Sequence, residues 1–207
     1  YVFGGSYATE QRGTGSWTGQ LSRNHEVTNL AQDSRSNSEM YLDFLQIQDQ
    51  IVTGDIILIA WNDWMFPYVT PTVPRQHKKK VVQEYLKFYY DETLARQHYR
   101  FYLREFQEFA EQKNVNLIVL WSVPSDYVNK QSPQAQYLDV NNYIYDSNFK
   151  NEIRPALDYF SRSEKLVAPD VDADRPNHIK DMNVHNRIYN AVHSLISGER
   201  TGIIDIA

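Results

Sequence analysis

The sequence contains no cysteine in its 207 residues. Disulfide bridges, thiolate metal sites and a cysteine nucleophile are therefore excluded. Positive charge is also scarce: the formal net charge is −5, and the basic residues are scattered apart from one short run at residues 77–80. Because a broad nucleic-acid-binding surface needs clustered cations, no nucleic-acid partner is expected.

Long hydrophobic runs are missing as well. The longest, Ile56–Trp61, has the length of a strand, whereas a membrane-spanning helix needs about 18–20 apolar residues. No membrane span is therefore predicted. The glycine fingerprints of dinucleotide-binding folds and of P-loops are also absent, so a nucleotide-binding flavodoxin-like domain is only a weak alternative.

Segments typical of strands alternate along the chain with segments typical of helices. The predicted strands are an opening strand that ends at Gly4, and residues 25–30, 55–61, 115–121 and 165–168. The predicted helices are residues 16–23, 36–48, 79–113 (one helix or two), 148–160 and 179–197, the last with Gly198 as its C-cap. This alternation predicts parallel strands joined by right-handed crossovers. We therefore expect one domain over residues 1–207, with a three-layer α/β/α doubly wound, flavodoxin-like arrangement around a five-stranded parallel sheet.

In such sheets, ligands bind beyond the carboxyl ends of the strands. The first strand ends in Gly4-Gly5-Ser6. Glycine permits the sharp turn that exposes a side-chain hydroxyl, and strand-end serines of this kind serve as nucleophiles in several hydrolases. Ser6 is thus the first candidate for chemistry, and an ordinary turn is the competing interpretation.

Four blocks, taken together, make the chain resemble the SGNH hydrolases, also called GDSL-like esterases. The blocks are Gly4-Gly5-Ser6, Asn29-Leu30-Ala31-Gln32-Asp33-Ser34-Arg35-Ser36-Asn37, Ala60-Trp61-Asn62-Asp63, and residues 170–178 (DVDADRPNH). The resemblance covers nearly the whole chain, with the blocks in the family's order and at predicted strand ends.

The resemblance implies a serine esterase that needs no cofactor. Ser6 would be the nucleophile, His178 the general base and Asp174 the residue that orients it, which completes a catalytic triad. The oxyanion hole would consist of the backbone N–H groups of Ser6 and Ser34 and the side-chain amide of Asn62. The implied substrates are small-molecule or carbohydrate esters, such as O-acetyl groups.

Two positions depart from the family pattern. The family's aspartate lies three residues before the histidine, where this chain has Arg175. Asp174 is four residues before it, and Asp172 is an alternative partner. Ser34 stands where the family has a glycine. These departures support a second hypothesis, a non-catalytic SGNH-like binding or structural module of a larger bacterial or viral assembly.

Aromatic side chains near the predicted site have two interpretations. Tyr7, Trp61 and Trp64 could line a substrate cleft or cap the end of the sheet, and packing is the commoner role of aromatic residues.

No metal site is predicted. Alternating aspartates at residues 170–174 suggest a calcium loop, but Arg175 and Asp181 stand where such a loop needs glycine and glutamate. His178 and His185 are seven residues apart without an obvious third ligand, and we expect His185 at the surface.

Overall fold

Five parallel strands form the sheet of the computed structural model, which describes residues 1–5, 8–9, 15–32, 35–61, 84, 88–89, 91–121, 149–155 and 182–206. The strands are β1 (Val2–Gly4), β2 (Ile56–Trp61), β3 (Asn116–Trp121), β4 (Asn151–Pro155) and β5 (Gly202–Ile206), and they pair in that order. The helices are α1 (Trp17–Leu21), α2 (Asn37–Ile47), α3 (Glu92–Lys113) and α4 (Met182–Ile196), with a 3₁₀ turn at Gln48–Gln50. No described helix is both long and apolar enough to cross a membrane.

Residues 28–32, which we call the edge segment, run beside β1 on its outer side. The Val2 N–H donates to Thr28 O at 2.9 Å, the Leu30 N–H to Val2 O at 2.8 Å and the Gln32 N–H to Gly4 O at 3.0 Å. The pairing is parallel. The edge segment forms one bridge and is not a strand of the sheet, whose lateral order is β1-β2-β3-β4-β5. The strand predicted at residues 25–30 is therefore an isolated bridge at Asn29.

Helices cover both faces of the sheet. In β2, Ile57 and Ile59 face α2 and α3, whereas Leu58 and Ala60 face α1 and α4, and all four are buried. A central parallel strand that is covered on both sides reads as a continuous apolar run, which is why β2 and its neighbour β3 were the easiest elements to predict.

Helix α2 lies within one residue of its predicted bounds at each end, and the predicted C-cap of α4 is confirmed. Ser36 caps α2 in a capping box: its side chain accepts from the Glu39 N–H, and the Glu39 carboxylate accepts from the Ser36 N–H. Gly198 follows α4 with φ of +76°, a left-handed conformation that favours glycine at a C-cap. The helix predicted over residues 79–113 is described from Glu92 onward.

The helix predicted over residues 148–160 is wrong, because Asn151–Pro155 forms strand β4. Ile153 pairs with Leu120 and is buried in the core, and a proline is tolerated at the end of a strand. Strand β5 was not predicted. The strand predicted at residues 165–168 lies outside the described residues.

Candidate functional site

Gly4 lies at the end of β1, where the next residues pack closely on the strand. A Cβ atom on Gly4 would lie 2.7 Å from Ala8 Cβ and 2.9 Å from Ala60 Cβ. The Ala8 N–H donates to Gly5 O at 3.0 Å, and Ala8 lies in a turn just after β1. The absence of a side chain at Gly4 therefore allows Ala8 and Ala60 to pack directly against the end of the strand.

Asn29 ties this turn to the edge segment. Its Nδ2 donates to Ala8 O at 2.9 Å, and its Oδ1 accepts from the Ala31 N–H at 3.0 Å. Sequence reasoning quoted Asn29 only as the first residue of a block and missed this bracing role. The available signal was the ability of asparagine to accept from the backbone two residues further on.

Residues of the edge segment, β1 and β2 lie side by side at the carboxyl edge of the sheet. Gln32 donates its N–H to Gly4 O, and Gly4 pairs in register with Ala60. We call Gln32, Gly4 and Ala60 the carboxyl-edge row. The order of the blocks along the sequence predicted that they share an edge, but it did not predict that these three positions are lateral neighbours.

Most of the predicted site residues lie outside the described part of the chain. They are Ser6, Tyr7, Ser34, Asn62, Trp64, Asp174 and His178. The structure brings together the chain positions that precede three of them, Ser6, Ser34 and Asn62.

Trp61 is the one predicted site residue that the structure describes. It is fully buried, and its ring centroid lies 5.8 Å from that of Tyr99 and 6.1 Å from that of Phe106, both on α3. Trp61 thus packs between the sheet and α3, on the face opposite that of Ala60.

Two carboxylates of α2 hold Arg35, the residue that follows Ser34. Arg35 contacts Glu39 Oε1 at 3.4 Å and Asp43 Oδ1 at 3.2 Å. Burial raises the pKa of Asp43 above its ordinary value, the Arg35 guanidinium opposes this rise, and the Glu39 carboxylate adds to it.

Helix α4 begins towards the carboxyl edge. It ends at Ile196, and β5 begins six residues later at Gly202 at the amino edge of the sheet. Because α4 has 15 residues and a helix rises about 1.5 Å per residue, its first residue, Met182, lies about 21 Å from its last. The segment before Met182 carries Asp174 and His178.

His185 is not at the surface, contrary to the prediction. It is 3% exposed, and its Nδ1 accepts the Trp17 N–H at 3.3 Å, which links α4 to the start of α1. Its partner is 168 residues away in the chain, so local sequence carries no signal of this contact.

Comparison with family models, with curated proteins and with solved structures finds no match to the chain.

Proposed function

We propose that the protein is a serine esterase of the SGNH type that hydrolyses a carboxylic ester. The observation that carries this proposal is the carboxyl-edge row. Ser34, Ser6 and Asn62 are each the second residue after a member of that row. Since a residue spans at most about 3.6 Å of chain, the Cα atom of each lies within about 7 Å of its row residue.

Such a grouping meets the main requirement of ester hydrolysis by serine. The Ser6 hydroxyl attacks the ester carbonyl and gives its proton to His178, which Asp174 orients, and the alcohol leaves. The Ser6 and Ser34 amides and the Asn62 side chain stabilise the oxyanion, and water then releases the acid from the acyl-enzyme. Two serines and an asparagine that closely follow three neighbouring positions in the chain can supply a nucleophile and three donors to one small volume.

The hydrogen bond from the Ala8 N–H to Gly5 O and the direction of α4 support the remaining roles. A turn after the first strand is the kind of backbone from which serine hydrolases present a nucleophile. The segment with Asp174 and His178 joins α4 at the end that lies towards the same edge of the sheet. We propose small acyl esters and carbohydrate O-acetyl groups as the substrate classes.

The test is labelling with a fluorophosphonate probe, combined with turnover of p-nitrophenyl acetate. Ser6→Ala is compared with Ser197→Ala, a matched control on the exposed turn after α4. We expect the wild type and the control to be labelled and active. Ser6→Ala should lose the label and about 10³-fold or more in kcat, as nucleophile removal does in serine hydrolases.

Equal labelling and equal turnover of all three proteins would overturn the esterase proposal. A folded wild type with neither labelling nor turnover would also overturn it, and would favour the non-catalytic module that Arg175 and Ser34 suggest.

A further inference from the structure

Two histidines from distant parts of the chain meet on the side of the molecule formed by α1 and α4. His25 lies in the turn after α1, and His193 lies in the last turn of α4. His25 Nε2 and His193 Nδ1 are 3.5 Å apart, and the ring centroids are separated by 5.7 Å. Both rings are partly buried. The two residues are 168 positions apart, so sequence analysis missed the pair.

The surrounding residues hold the two rings in place. The His193 ring stacks on Tyr189 with 5.6 Å between centroids and 9° between planes, and the Tyr189 hydroxyl accepts from Asn24 Nδ2 at 2.9 Å. The His25 N–H donates to Leu21 O at 3.0 Å, which fixes the backbone that carries the second ring. Binding a ligand between the rings would therefore require little ordering of side chains.

The separation of the facing nitrogens suits a shared metal ion. Zinc binds imidazole nitrogen at about 2.0–2.1 Å with tetrahedral angles, which places two ligating nitrogens about 3.4 Å apart. The observed 3.5 Å is also the outer limit of a hydrogen bond, so a metal would displace only a weak contact. Imidazole is a preferred ligand of zinc, copper and nickel.

We propose that His25 Nε2 and His193 Nδ1 together bind a divalent transition-metal ion, with Zn²⁺ as the reference ion. Within the described residues, no group of three or more histidine, aspartate and glutamate side chains could hold a metal, so the proposal names these two protein ligands only. The ion would join the turn after α1 to the end of α4. This site is independent of the proposed esterase site.

The experiment is calorimetric titration of the full chain with Zn²⁺, with no affinity tag and after EDTA treatment. The variants are His25→Gln, His193→Gln and the double variant, and His98→Gln is the control because His98 is exposed on α3. We expect one Zn²⁺ to bind to the wild type and to the control. Each variant at the pair should bind at least about 10-fold more weakly, because loss of a second-shell partner alone costs about 10–100-fold.

Thermal unfolding provides a second measurement. Zn²⁺ at about one hundred times its Kd should raise the Tm of the wild type by about 5–10 °C and leave the double variant unchanged. Unfolding in EDTA shows whether each variant folds. The proposal is wrong if the wild type binds no Zn²⁺, if the double variant binds as tightly as the wild type, or if His98→Gln weakens binding as much as His25→Gln does.

Discussion

Gly4 is the residue on which the close packing at the end of β1 depends. Gly4→Ala would place a methyl group 2.7 Å from Ala8 Cβ and 2.9 Å from Ala60 Cβ. Both distances are shorter than van der Waals contact, and Ala8 and Ala60 are fully buried. We expect the substitution to lower the free energy of unfolding by about 1–3 kcal/mol, the usual cost of overpacking, as measured by urea unfolding.

Ala8→Gly provides the control for this prediction. Alone it removes a buried methyl group and should destabilise the protein. Combined with Gly4→Ala it removes the shorter of the two clashes, so the pair should be less destabilising than the sum of the single changes. Additive effects would show that the two positions do not compete for the same space.

Individual residues were predictable where the reason for them is local. Gly4 and Gly5 indicated a turn, and Ala8 lies in one just after β1, because a turn at that point is a property of the adjacent chain. The burial of His185 was mispredicted, since its hydrogen bond to the Trp17 N–H joins residues 168 positions apart. The pairing of His25 with His193 was not visible in the sequence for the same reason.

Asn29 joins two elements, the edge segment and the turn after β1. Asn29→Asp keeps the oxygen that accepts from the Ala31 N–H but replaces the donor that faces Ala8 O. Two oxygens would then face each other in a half-buried site. We expect a loss of about 1–3 kcal/mol in the free energy of unfolding, measured by urea unfolding at neutral pH. If the proposed function is correct, kcat should fall as well.

Asn24→Asp is the matched control for this change. Asn24 Nδ2 also donates a hydrogen bond, but to the Tyr189 hydroxyl and at an exposed position. A hydroxyl can donate to a carboxylate, whereas a backbone carbonyl can only accept. Asn24→Asp should therefore change stability by less than about 0.5 kcal/mol, as is usual for surface substitutions. Equal effects of the two substitutions would contradict the bracing role of Asn29.

Helices and strands were predictable where their own residues carry a clear pattern. The apolar run of β2 and the Ser36–Glu39 capping pair of α2 are visible in the sequence itself. Strand β4 begins with asparagine and glutamate, which have low strand propensity. Two of its polar side chains instead bond to distant residues: the Trp121 indole donates to Glu152 Oε2 at 3.0 Å, and Asn151 Nδ2 donates to Asn116 Oδ1 at 2.8 Å. These tertiary contacts override the local preference.

For the whole molecule, the sequence predicted the parallel sheet with helices and left its lateral register open. The order of the blocks placed the candidate residues at strand ends, because parallel strands end at one edge. Gln32, Gly4 and Ala60 are direct neighbours because of the hydrogen bonding between adjacent segments of the chain. The alternation of side chains along a strand does not specify this register when both faces of the strand are apolar. The proposed site is therefore supported by register that only the structure supplies.

We expect the two faces of the sheet to unfold together, because both hydrophobic cores use the same strands. Strands β2 and β3 send alternate side chains to the α1/α4 face and to the α2/α3 face, so one face cannot lose its strands without exposing the other. Trp17 reports on the first face and Trp121 on the second, and both are buried. Two variants separate the signals. Each variant keeps one of these two tryptophans and has phenylalanine in place of the other three tryptophans.

Within each variant, the urea midpoint from tryptophan fluorescence should equal the midpoint from far-ultraviolet circular dichroism, as two-state unfolding requires. Comparing two signals from the same protein cancels any destabilisation that the phenylalanine substitutions cause. In one variant only, the fluorescence midpoint could lie at a lower urea concentration than the dichroism midpoint. That result would show that the helices on the face of the retained tryptophan separate from the sheet first. Coincidence in both variants is expected, because the sheet that carries the carboxyl-edge row is common to the two cores.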